Sequence, residues 1–211
     1  MKIKAYAIKK RGGKAERFTY ERRVGKNDVL VRITHCSIAT GDIQFINDDW
    51  GDAKFPLVLG HEIIGIIEET GSEVVDLKNG DRVGIGYQQE ACFECQFCKE
   101  GNEQFCPKQK VIAVDCYGGL AEHIVLDGRF AFKLPPKLDS AKSVPLLSSG
   151  LTVYSGMIKA KMPNNSIVAV LGIGGLGSLA IQFLHKLGHQ VSALSHSPEK
   201  KEMIERWELS T

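Results

Sequence analysis

Hydrophobic positions fall into two regimes along this chain. Residues 1–8, 28–38, 62–68, 81–86 and 120–126 are short runs rich in Val and Ile and punctuated by Gly, Asn and Asp, a pattern that predicts strands. From about Ser143 the spacing lengthens. Leu146, Leu147, Leu151 and Tyr154 recur at a helical period, and the turn Pro163-Asn164-Asn165 follows. Beyond it the pattern predicts a strand over 167–171, a helix over 176–187 stopped by Gly188, a strand over 190–194, and a helix from Pro198 capped by Ser197. A domain boundary therefore belongs near Lys159, dividing 1–158 from 159–211. The expected fold is α/β, a β-rich first domain followed by an incomplete doubly wound domain. Two strands and two helices fall short of the about five or six covered parallel strands that such a sheet needs.

Composition narrows the function classes. With 43% hydrophobic and 25% charged residues among 211, the chain has the make-up of an ordinary globular protein. Lys and Arg total 27 against 25 Asp and Glu, a net charge of +2, and the charges are interspersed. No basic stripe is present to bind nucleic acid or a membrane surface. No run approaches the roughly 20 apolar residues of a bilayer span, and the opening MKIKAYAIKK alternates Lys with apolar residues where a signal peptide has an apolar core. The expectation is a cytoplasmic protein whose partners are small molecules. Glycine, at 22 residues, exceeds its usual share and implies many tight turns or a backbone that approaches a ligand closely.

Four of the six cysteines lie in one window, Cys92-x2-Cys95-x2-Cys98-x7-Cys106. A tight loop offers three thiolates and a short excursion returns the fourth, which suits tetrahedral zinc. Four sulfurs leave no open position for substrate, so one ion per chain held in this lobe, about residues 90–107, is structural. The rival readings are two disulfides, which a cytoplasmic setting disfavours, and an iron–sulfur cluster, whose last gap would be three residues with a second set of cysteines to match. Simple buried thiols are the bland alternative, and they are the natural reading for the isolated Cys36 and Cys116.

The run Gly172-Ile-Gly174-Gly175-Leu176-Gly177 follows an expected strand and opens an expected helix. In that context glycines allow a tight turn, and the free N–H groups and positive end of the helix accept a pyrophosphate, so a dinucleotide is the expected guest. Where an acid would grip the ribose of NAD(H), the chain reads Leu194-Ser195-His196-Ser197-Pro198-Glu199-Lys200. Ser195, Ser197 and Lys200 would receive a 2′-phosphate, which favours NADP(H) over NAD(H), with Glu199 the nearest acid.

Several phrases together resemble the zinc-containing medium-chain alcohol dehydrogenases, closest to the cinnamyl alcohol dehydrogenase branch. They are Phe55-Pro-Leu-Val-Leu-Gly-His-Glu62, Gly80-Asp-Arg-Val83, the four-cysteine lobe, Tyr117-Gly-Gly-Leu-Ala-Glu122, Pro145-Leu-Leu-Ser-Ser-Gly-Leu-Thr-Val-Tyr154 and the glycine loop. The resemblance implies a chaperonin-10-like catalytic domain joined to a Rossmann domain, and a chain that stops inside the second of these, without the family's usual dimer surface. It also implies a catalytic zinc held by a Cys, the His61-Glu62 pair and another Cys, with Asp42 behind the metal and Thr152 beside the nicotinamide. Aligned without gaps, the family phrase Cys-Gly-Val-Cys-His-Ser-Asp falls on Cys36-Ser37-Ile38-Ala39-Thr40-Gly41-Asp42, so its ligand cysteine falls on Ala39 and its relay hydroxyl on Gly41. The second ligand cysteine falls on Ser148. Cys36 lies three residues from the vacated position, about 10 Å along a strand and on the opposite face.

Two functional readings follow. The first is an NADP(H)-dependent oxidoreductase that exchanges hydride with an aldehyde, alcohol or conjugated carbonyl (enone) without a competent catalytic zinc, with His61, Glu62, Thr152 and Asp42 as site residues. The second is a non-enzymatic truncated remnant or pseudoenzyme that keeps only the structural zinc.

Overall fold

The computed structural model describes residues 1–209; Ser210 and Thr211, which end the expected second domain, lie outside the described residues. The chain forms two compact units, Met1–Leu147 and Ser148 onward.

The first unit is built from β1 (Lys2–Ile8), β2 (Ala15–Glu21), β3 (Asp28–Cys36), α1 (Thr40–Asn47), β4 (Ile63–Thr70), β5 (Arg82–Ile85), β6 (Gln88–Glu90), α2 (Gln96–Lys99), β7 (Lys110–Val111), β8 (His123–Asp127), β9 (Ala131–Lys133) and α3 (Ser140–Ser143). Its main sheet has five antiparallel strands in the order β8-β3-β4-β5-β9, and β1 and β2 form a separate hairpin. Val29, Val31, Ile63, Ile67, Val83, Ile85 and Ile124 from this sheet are buried in one core with Leu57 and Ile112. The expected β-rich character follows from these β-branched residues, which pack well on a half-buried pleated surface.

Boundaries differ from expectation where a neighbour intervenes. Strand β3 ends at Cys36 because residues 37–39 turn into α1, a short helix hidden in the sequence by Gly41. Strand β8 begins at His123 because Leu120 and Ala121 serve β1 instead: Tyr6 N–H donates to the Leu120 carbonyl at 2.8 Å, and Ala5 bridges Ala121. Strands β2, β6, β7 and β9 carry too little apolar pattern to be read in advance.

The second unit comprises α4 (Ser149–Ala160), β10 (Ile167–Leu171), α5 (Gly175–Lys186), β11 (Gln190–Leu194) and α6 (Lys201–Leu209), with β10 and β11 parallel and in register. The single helix expected through Leu146 and Tyr154 is divided, with a 3-10 turn at Val144–Leu147, a break at Ser148 and then α4. Pro145 cannot donate to the preceding turn, which ends α3 there. Helix α4 belongs with the second unit, where the Tyr154 ring meets the edge of Phe183 on α5 at 6.2 Å, so the compact units divide one helix earlier than Lys159. After β11, Pro198–Lys200 forms a 3-10 turn and α6 starts at Lys201. Ser197 makes no side-chain capping bond, contrary to expectation; its N–H is instead taken by Ser195 Oγ at 3.1 Å. No described helix is long and apolar enough to cross a membrane.

Candidate functional site

Three features of the sequence become geometry. The first gathers His61, Glu62 and Asp42 at one end of the main sheet. Antiparallel pairing of β3 with β4 ends at Cys36 and Ile63, so the residues just beyond, Ser37 and Glu62, face each other. Ser37 N–H donates to the Glu62 carbonyl at 3.1 Å, and Ser37 Oγ donates to Glu62 Oε2. Glu62 is 2% exposed. Asp42 stands in the first turn of α1, where its Oδ2 accepts from Ala39 N–H at 2.8 Å; its Oδ1 accepts from Gly60 N–H at 2.9 Å and lies 3.2 Å from His61 Nδ1. Burial alone would raise the Asp42 carboxyl, but the bonds from His61, Ala39 and Gly60 outweigh it and hold the group below the usual carboxylate value. For His61 burial lowers the imidazole, and the Asp42 bond together with the charges of Asp42 and Glu62 more than reverses this, giving a net upward shift. The His61 ring meets Tyr87 edge-on at 5.9 Å, and a Cβ at Gly41 would lie 3.6 Å from His61 Cε1.

This set does not meet the needs of a zinc ion. Ala39 brings no thiolate beside His61 and Glu62, and zinc takes three or four protein donors. Cys36 offers no rescue. Its sulfur fills the space a Cβ at Gly60 would need and packs against Gly119, while burial first, then the charges of Asp42 and Glu62, push its thiol up to about 12. Gly60 adopts φ +89, a left-handed conformation in which its N–H donates to Asp42 Oδ1 and its carbonyl accepts from Gly119 N–H at 2.7 Å.

The second feature is the cysteine lobe. The sulfurs of Cys92, Cys95, Cys98 and Cys106 lie within 4.8 Å of one another, and they are the one group of three or more His, Cys, Asp or Glu donors among the described residues gathered this way. All four are free thiols. Separations of 3.5 Å between Cys95 and Cys98, 3.5 Å between Cys92 and Cys106, and 4.0 Å between Cys92 and Cys98 bracket the about 3.8 Å edge of a tetrahedron with Zn–S near 2.3 Å. Backbone N–H groups support the sulfurs: Cys95 N–H points at Cys92 Sγ, and Cys92 and Lys108 N–H at Cys106 Sγ, each at 3.4 Å. The N–H groups of Glu94 and Cys95 pull the Cys92 thiol down to about 6. The residues present fit a structural zinc.

The third is the glycine loop. Gly172 has φ +86, and a Cβ at Gly177 would fall on the Gly172 carbonyl oxygen, so the strand-to-helix turn closes only with glycine at these positions. Gly174 and Gly175 face open space, which leaves backbone N–H groups accessible at the start of α5. Leu176 is exposed beside them. Lys200 Nζ donates to the Ile173 carbonyl at 2.8 Å, and Gly172 N–H donates to the Leu194 carbonyl at 2.9 Å. The end of β11, with Ser195, Ser197 and Lys200, is thus tied to the loop, and this cradle fits a dinucleotide. Thr152 lies on α4 in the second unit, exposed, with its N–H bonded to the Ser148 carbonyl at 2.8 Å. Sequence reasoning missed Ser37 and Tyr87 at the first feature; a hydroxyl in place of the glycine in the family phrase was the available signal for Ser37.

Residues 25–136 match the family model described as the alcohol dehydrogenase GroES-like domain. The chain is 41% identical over 198 residues to the probable formaldehyde dehydrogenase AdhA of Bacillus subtilis (strain 168), an overlap of 90% of this chain and 57% of that protein. Among solved structures it is similar to the cinnamyl alcohol dehydrogenase SbCAD4 of Sorghum bicolor, with 30% identity and a TM-score of 0.92 over 100% of this chain and 63% of that one. It is similar too to the CAD of Helicobacter pylori complexed with NADP(H), with 33% identity and a TM-score of 0.93 over 98% of this chain and 62% of that one. The chain spans about three fifths of the length of these relatives.

Proposed function

The chain belongs to the zinc-type medium-chain alcohol dehydrogenases, in the cinnamyl alcohol dehydrogenase branch, and from that premise we propose that it is built for NADP(H)-dependent hydride exchange with a small aldehyde, alcohol or conjugated carbonyl, with one structural zinc and none at His61. The observation that carries this is the glycine loop with Lys200 fastened to it. The open N–H groups at Gly174 and Gly175 receive a pyrophosphate, while Ser195, Ser197 and Lys200 present hydroxyls and a cation where a 2′-phosphate would lie and no acid competes at the end of β11. A bound NADPH supplies the hydride. The chain's own task is to hold the cofactor and substrate in a reactive arrangement, and the proton for the developing alcohol oxygen comes from water or a neighbouring acid group. The first unit, residues 1–147, serves as the catalytic part, with the zinc of the four cysteines stiffening a lobe too small to hold itself, and the second, from residue 148, as the nucleotide-binding part.

Fluorescence titration with NADPH and NADH tests the reading. Saturable binding is expected, tighter for NADPH by about tenfold or more, and Lys200→Ala should erase most of that preference, as loss of a charge-assisted contact to a phosphate does. Equal affinity for the two cofactors defeats the preference. No saturable binding of either favours the second reading, a non-enzymatic zinc-stabilised protein, which the donors missing at Ala39 and Ser148 support.

A further inference from the structure

The whole-chain balance of +2 conceals a gradient. Residues 1–26 hold ten of the 27 Lys and Arg but two of the 25 Asp and Glu, a net charge of +8, and the remainder of the chain is left at −6. Folding gathers the basic segment on one element, the β1–β2 hairpin with its flanks, and all ten cations are exposed. Lys4 is paired with Glu122, Lys9 with Glu16 and Lys26 with Glu73, while the other seven have no ion pair among the described residues. The tip, Lys9-Lys10-Arg11-Gly12-Gly13-Lys14, carries four of the ten and no acid. Arg11 Nε donates to the Asn47 carbonyl at 2.6 Å, which fixes that side chain and leaves its charge unopposed. Beside the tip the pairing register sets Tyr6 directly opposite Arg17, with Lys4 opposite Thr19 as the next pair on the same outer face. Tyr6 is 53% exposed, and a groove of about 550 Å³ lined in part by Tyr6, Arg17, Phe18 and Leu120 runs alongside. The hairpin is held firmly from beneath. Ile3, Ala5 and Ala7 are buried, the Tyr117 ring lies 5.5 Å from Phe18 and 4.5 Å from Tyr20, and Ile8 exchanges two backbone bonds of 2.8 Å with Leu57.

We propose that the β1–β2 hairpin binds single-stranded nucleic acid along its outer face, with phosphates on Lys10, Arg11, Lys14 and Arg17 and a base stacked on the Tyr6 ring. Unopposed cations spaced along a strand neutralise a sugar–phosphate backbone, and an exposed ring beside them is a stacking surface that accepts any base. The seven residues of β1 span about 23 Å, the length of a short site of about four nucleotides. An anionic bilayer is a poorer match, because the tip has no apolar side chain to insert. Lysines on a hairpin also guard a free edge against further pairing, but that duty needs no ring, and Tyr6 stands on β1, whose second edge is already bonded to Leu57 and Leu120. The hairpin belongs to the first unit and the glycine loop to the second, so the inference does not rest on the hydride-transfer reading.

Fluorescence anisotropy of the full chain with a labelled oligouridine of about twelve nucleotides, titrated between about 50 and 200 mM salt, gives the test. Saturable binding is expected at micromolar protein in the lower salt, with a slope of about −3 for log affinity against log salt, four phosphate contacts at about 0.7 each. Arg17→Ala should weaken binding and make the slope shallower by about 0.7, and Lys10→Ala, in the turn and clear of the strands, should do the same. Tyr6→Ala should weaken binding about fivefold or more and leave the slope unchanged, because a stacked ring carries no charge. Saturating NADPH should not displace the oligonucleotide. No saturable binding at low salt overturns the proposal, and so does binding that Tyr6→Ala leaves intact or that poly-glutamate of equal length matches, since either makes the hairpin a general anion surface. Displacement by NADPH places the oligonucleotide at the glycine loop and overturns it too, as does tighter binding to vesicles of phosphatidylserine and phosphatidylcholine than to the oligonucleotide.

Discussion

Both oxygens of Asp42 are bonded inside the protein, to Ala39 N–H, Gly60 N–H and His61 Nδ1, and the residue is 1% exposed. Such a group organises its surroundings, because α1, the Gly60 turn and the His61 ring all depend on it. Its pKa is lowered from 3.8 and that of His61 raised from 6.5. The signs follow from linkage. The Asp42 contribution is present above its ordinary value and disappears as pH falls through the lowered one, while the His61 contribution is present below 6.5 and disappears as pH rises through the raised value. The pair therefore stabilises the fold most between those two ordinary values. Asp42→Asn should cost about 2–4 kcal/mol near pH 5, the range for breaking a buried hydrogen-bonded charge pair, and less at pH 9. Urea unfolding of both proteins across pH checks this, and a difference that stays flat with pH would show that the pairing carries no charge. None of this arrangement was visible in residue spacing. Asp42 and His61 came from resemblance alone, and the bond between them depends on a helix, α1, that the apolar pattern did not reveal.

At the scale of elements, the cysteine lobe is made of pieces that have no stability of their own. Strand β6 has three residues, β7 two and α2 four, and Phe97 and Phe105 remain 46% and 57% exposed. Helices of one turn do not persist in water, and so few apolar contacts cannot offset the entropy of ordering the loop. Arg129 helps tie the lobe to the sheet, its guanidinium lying 3.5 Å from the centre of the Phe93 ring and pairing with Asp127, and the Phe93 ring also meets Phe130 at 5.7 Å. The lobe should accordingly lose its order when the metal is withdrawn. Cys95→Ser, or a strong chelator on the unsubstituted chain, is expected to release the zinc and speed amide hydrogen exchange over residues 90–107 while the main sheet stays protected, at a cost of more than about 4 kcal/mol in unfolding free energy. Protection in the lobe that survives metal loss would contradict this. This element was legible in advance for a plain reason: ligand spacing is local, so the chain announces it whatever the rest of the fold does. The glycine loop was legible in the same way, as Gly172 and Gly177 answer backbone demands a few residues apart. The fastening of Lys200 to the Ile173 carbonyl was not, because it joins residues 27 apart through the βαβ turn.

For the whole molecule the two units differ in how well each covers its own apolar surface. The first buries Val29, Val31, Ile63, Ile85 and Ile124 completely or nearly so, and its sheet is filled on the core side. In the second, the two parallel strands alternate exposed and half-buried positions in step, and one face carries Ile167 at 77%, Leu171 at 85% and Leu194 at 51% exposed. Parallel sheets are stable when both faces are covered, and a two-stranded one with an apolar face and unpaired outer N–H and C=O groups is a template for further pairing. The 211-residue chain should therefore associate in a concentration-dependent manner through β10 and β11. Sedimentation velocity at rising protein concentration is expected to show growing oligomers, and Leu171→Lys combined with Ile167→Lys should reduce them by placing two like charges on the same face, leaving zinc content unchanged because the lobe lies in the other unit. The zinc readout matters to the logic. If the double substitution abolished association and also stripped the metal, the second unit would be acting through the fold of the first and the edge would not be the cause; if association persisted undiminished, the apolar face of β10 and β11 would play no part in it.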